Sequence, residues 1–195
     1  GDHDGAAQAL SGAKGPRSSF ARGRLDLQRG DLADARNALL AAAAGLQGSD
    51  ATEAIGLVSL LGRLSPGGGQ LLGKAVALAQ EGKRKEAIDL LQKESSSLSD
   101  PEHAAILDYA AGIADHAGLD GDAEALRRLI VTSYPNALEA PAALLALGRA
   151  LAEKPAAFVE ARQLLEKLVV DYPRSALVPE ARRELDLLQG RIPRS

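Results

Sequence analysis

Residues 122–147 read DAEALRRLIVTSYPNALEAPAALLAL, and residues 160–188 read EARQLLEKLVVDYPRSALVPEARRELDLL. Set about 38 residues apart, the two stretches align in register: Ala123 with Ala161, Leu126 with Leu164, Val131 with Val169, Tyr134 with Tyr172, Pro135 with Pro173, Pro141 with Pro179, Ala143 with Ala181 and Leu147 with Leu185. Self-similarity at such a period marks a chain built from stacked supersecondary units, none of which can bury its apolar face alone. Each copy spells a helix that stops at Tyr-Pro, a short turn, and a second helix with a proline in its first turn. Proline suits both places: it cannot continue a helix, and in a first turn the amide it lacks has no intrahelical partner anyway. Ala123 and Ala161 are small where two helices of a hairpin cross, and leucines three and four residues apart supply a buried stripe.

Outward from this repeat the pattern continues with variations. Residues 1–16, rich in glycine and alanine and without a sustained period, read as a flexible N-terminal segment. From 17 to 46, Gly23, Gly30, Leu32 and Ala35 mark a first hairpin with a tight turn at Gly30 and Asp31 placed to cap the second helix. Asp50 and Glu53 have capping-box spacing for an extra helix over 50–64 that lacks a hairpin partner in repeat register. Ser65, Pro66, Gly67, Gly68 and Gly69 then read as a flexible interruption. A hairpin over 69–98 resumes the pattern, with Gly82 and Ala87 five residues apart as Gly30 and Ala35 are. Further hairpins follow over 101–135 and 137–173, the former opening on Asp100-Pro101. A last helix over 175–190 sets Leu177, Leu185 and Leu188 against Arg182, Arg183, Glu184 and Asp186, the polar-backed helix that closes an array, and 191–195 form a tail.

The fold class expected is therefore all-α, with about ten helices in antiparallel hairpins and a C-terminal capping helix. Composition agrees. Hydrophobic residues make up 46% of 195 residues but aromatics only 3%, so helices must pack through alanine and leucine rather than around an aromatic centre. β-Branched runs are scarce.

The repeat resembles the tetratricopeptide repeat (TPR). In that family a small residue lies early in the second helix and a proline twelve residues later closes the unit, as Ala161 and Pro173 do. Its leucine-glycine pair followed by a large residue is matched by Leu147, Gly148 and Leu151, with one residue inserted in the turn over 153–157. The resemblance covers 101–190 well and 17–98 loosely. It implies a single right-handed superhelical α-solenoid over 17–190, whose first helices line a concave groove and whose second helices form the convex back. The Tyr-Pro copies, with Asn136-Ala137 or Arg174-Ser175 and then a proline, are similar to repeats of bacterial envelope proteins such as the outer-membrane assembly lipoprotein and the periplasmic cell-division coordinator. This implies an exported adaptor of the bacterial periplasm or cell envelope.

Chemistry is poorly served by this chain. Gly68, Gly73 and Lys74 give G-x-x-x-x-G-K, but Ala75 stands where a hydroxyl should hold magnesium and the preceding LVSLLGRL reads as helix rather than strand. Asp115, His116, Asp120, Asp122 and Glu124 crowd a turn. Counted from Asp120, the glycine and glutamate of a calcium loop fall on Ala125 and Val131, so acidic residues favouring a helix start explain the cluster. His3, His103 and His116 have no zinc-pair spacing, and no G-x-S-x-G occurs. The expectation is a protein that is not an enzyme and uses no metal and no cofactor. The net charge of −3 argues against nucleic acid as a partner, the basic run of Lys83, Arg84 and Lys85 is explained as a solvated turn, and no apolar run reaches a membrane span. The absence of cysteine excludes disulfides, and the absence of methionine points to a processed chain or an excerpt.

What remains is surface. By position in the repeat, the resemblance implies that Arg24, Gln28, Gln80, Asp108, Asp115, His116, Arg149 and Glu153 face the groove and receive a protein or peptide partner. Tyr134 and Tyr172 are expected to pack between hairpins rather than to stack on a ligand. The other reading is a structural subunit that docks or self-associates through its convex face or its ends.

Overall fold

A computed structural model describes residues 12–190, so the tail at 191–195 and most of the segment read as a flexible start, including His3, lie outside the described residues. Among the described residues there are ten α-helices and no strand: α1 Pro16–Arg29, α2 Leu32–Ala43, α3 Gly48–Leu61, α4 Pro66–Gln80, α5 Arg84–Glu94, α6 Asp100–Ala117, α7 Asp120–Ser133, α8 Ala140–Ala152, α9 Phe158–Asp171 and α10 Val178–Gln189. The chain divides into two compact units after Glu102, within α6.

Three of the hairpin turns are the same object. α1 gives way to α2 at Gly30, α4 to α5 at Gly82 and α6 to α7 at Gly118, each glycine at a left-handed φ of 84°, 80° and 68°. After each glycine the next amide reaches back along the helix: Asp31 N–H to the Asp26 carbonyl, Lys83 N–H to that of Leu78, and Leu119 N–H to that of Ala114, all at 2.9 Å. These are Schellman turns, in which an L side chain at the glycine position would be strained. They reverse the chain within a short connection and so bring consecutive helices side by side.

In the first unit α1 packs on α2, α2 on α3, α4 on α5, and α4 on both α1 and α2. Gly23 makes the first crossing possible: a Cβ there would lie 2.6 Å from Leu39 Cγ. Two local expectations change here. Residues Ser65 to Gly69, expected to be a flexible interruption, form the N-cap and first turn of α4. The Ser65 hydroxyl accepts the Gly68 N–H at 3.3 Å and Pro66 occupies the first helical turn. Glycine serves there for proximity rather than flexibility, since a Cβ on Gly69 would sit 2.5 Å from Leu32 Cδ1 and one on Gly73 would sit 2.2 Å from the Leu27 carbonyl oxygen. Likewise α3 begins at Gly48, before Asp50, and no capping box forms. Glu53 instead accepts from the Arg24 guanidinium, tying α3 to α1. Asp31 stands at the N-cap of α2 but its side chain makes no capping bond. Because α4 packs directly on α1 and α2, the α4–α5 hairpin takes the place of the next repeat and α3 is an insertion beside α2.

In the second unit α7 packs on α8, α8 on α9, α9 on α10, and α8 also on α10. The sequence repeat is kept in three dimensions. Helix starts recur at 120 and 158 and at 140 and 178, and Tyr134 and Tyr172 end their helices with φ, ψ of −127°, 52° and −125°, 55°. Ala123, Ala161, Ala143 and Ala181 are all buried. Each tyrosine hydroxyl reaches back one repeat. Tyr134 Oη meets His103 Nδ1 at 2.8 Å with the rings edge to face, and Tyr172 donates to the Pro135 carbonyl at 2.5 Å. The α8–α9 turn departs from the glycine form, running through Glu153, Lys154 and a 3-10 turn at Pro155–Ala157.

Candidate functional site

Each predicted groove residue has a definite place. In the first unit Arg24 is held: its guanidinium lies 4.2 Å above the Phe20 ring and bonds Glu53, so its cation is already satisfied. Gln28 of α1 donates to Gln80 of α4 at 2.7 Å, so these two candidates meet across the first helices of successive hairpins.

In the second unit Asp108, Asp115 and His116 lie on α6. The Asp115 carboxylate accepts both terminal nitrogens of Arg127 from α7, one at 3.0 Å, which fastens the hairpin from outside. The His116 ring nitrogen Nδ1 lies 2.7 Å from the Gly112 carbonyl, one turn back on its own helix. Asp108 is half-buried.

Arg149, on the last turn of α8, and Glu153, just past its end, border one cleft of about 450 Å³. Its other walls come from Ala150 and Ala152 of α8 and from Glu184, Leu187 and Leu188 of α10. Arg149 spans the two helices, donating from Nε to Glu184 at 2.7 Å and from Nη2 to Glu180 at 3.1 Å. The hydrogen bond with Glu184, then the two carboxylate charges, raise the pKa of the guanidinium above its ordinary value. Leu188 is buried in the floor and Leu187, at 65% exposure, stands at the rim. The leucine stripe of the last helix, as read from sequence, omits Leu187. Its out-of-phase position next to Leu188 is the signal that could have singled it out, since a leucine two residues after Leu185 cannot share its face.

One motif that the sequence argues against has a physical account in the fold. Gly73, within G-x-x-x-x-G-K, faces the Leu27 carbonyl in a helix crossing, and Lys74 points toward Glu94, 4.0 Å away, on α5. Among the described residues no three histidine or acidic side chains gather as a metal site requires, and no helix is long and apolar enough to cross a membrane. The described residues present exposed helix faces and a cleft between α8 and α10. No protein-family model matches the sequence, and no curated protein does.

Proposed function

We propose that this chain is a non-catalytic adaptor that holds a protein or peptide partner on the surface formed by the first helices of its hairpins. The observation that carries this reading is the cleft beside Arg149 and Glu153, two first-helix positions that open on solvent between α8 and α10. The resemblance of the repeats to TPR units supports it, because arrays of that family use first-helix faces to receive partners. The similarity of the Tyr-Pro copies to bacterial envelope repeats supports a place in the periplasm or cell envelope.

The test compares faces. Native-host partners are recovered on the intact chain and on Glu153→Ala, Arg162→Ala and Lys167→Ala, with thermal stability measured in parallel. Arg162 and Lys167 are exposed on α9, a second helix. Loss of a partner with Glu153→Ala alone supports the adaptor reading. Loss with the α9 changes alone means that the working face is the opposite one, as a structural subunit docking through its convex side requires.

A further inference from the structure

We draw no further inference here: the strongest candidate, the aliphatic patch around Leu187 in the cleft between the last turns of α8 and α10, belongs to the site already described, its carboxylates at Glu180 and Glu184 are held by Arg149 while Glu153 has interactions of its own, and nothing in the structure shows what covers it.

Discussion

A methyl group at residue 73 has nowhere to go. Its carbon would fall 2.2 Å from the Leu27 carbonyl oxygen, and that atom is backbone, so α1 and α4 must separate to admit it. Gly73→Ala is therefore expected to cost about 2–3 kcal/mol, at the upper end of overpacking penalties, read as a fall in thermal or urea midpoint. Gly112 is the control with the opposite sign. It lies within α6 and a Cβ there meets no neighbour within 4 Å, so Gly112→Ala gains helix propensity, about 0.5–1 kcal/mol, in the same assay. Glu102 gives the second residue-scale prediction. Its carboxylate receives the Ser65 N–H at 2.6 Å and the Ser99 hydroxyl at 2.7 Å, and hydrogen bonds from Ser65 first and Ser99 second hold its pKa at about 2. A carboxyl whose pKa is lowered on folding stabilises the fold above its unfolded value. That contribution fades as pH falls from the ordinary glutamate value of 4.5 toward 2. Glu102→Gln should lose about 1–2 kcal/mol at neutral pH, allowing for solvent around a half-buried group, and the gap from the parent should narrow steadily below pH 4.5. Equal stability differences at neutral and acid pH would show that the hydrogen bonds do not depend on the charge.

At the scale of elements, the sequence discloses what local chemistry dictates. Gly30 and Gly82 are legible as hairpin turns because a glycine between two apolar-periodic segments supplies the left-handed residue that ends one helix, and the prolines of the 38-residue repeat bracket helices wherever they occur. Ser65 to Gly69 mislead because Leu32, which fills the space a side chain at Gly69 would take, is brought there by tertiary packing that no local spacing announces. Asp50 and Glu53 mislead for a related reason: Glu53 has a better partner in Arg24, which lies 29 residues away in sequence. The candidate site is half legible. Arg149 and Glu153 follow from counting onward from Gly148, whereas Glu184 and Leu187 complete the cleft from another helix and no spacing announces them. That second helix also changes what Arg149 does. Because its fork holds Glu180 and Glu184, Arg149→Ala is not a silent surface change. It should loosen α10, seen as faster amide hydrogen exchange in 178–189, while global stability falls by no more than about 1 kcal/mol, since the pair is nearly half exposed. Unaltered exchange in α10 would mean that apolar packing alone holds the helix.

At the scale of the whole molecule the question is whether copies of the chain add to one another, as a structural subunit would require. An array of hairpins grows by presenting, on its last pair, the same apolar surface that earlier pairs present to their successors. The repeat allows that surface to be compared position by position. On α8 the buried residues include Leu144, Leu145, Gly148, Leu151 and Ala152. Displaced by the repeat period, their counterparts at α10 are Arg182, Arg183, Asp186, Gln189 and Gly190, and every one is exposed. The exchange at Gly148 is the most telling, because a Cβ there would lie 2.8 Å from the Leu165 side chain, so the crossing tolerates no larger residue. Asp186 puts a carboxylate at that crossing, and burying it unpaired against a leucine would cost several kcal/mol. A further hairpin set on α10 as α9 is set on α8 would therefore have to bury that carboxylate. The chain is expected to keep one hydrodynamic size over a wide range of concentration. The combination Arg182→Leu, Arg183→Leu and Asp186→Gly, which rebuilds the α8 pattern on α10, should make that size rise with concentration. If the parent chain already associates and Arg182→Glu with Arg183→Glu abolishes it, α10 is an interface and the polar face is its contact surface.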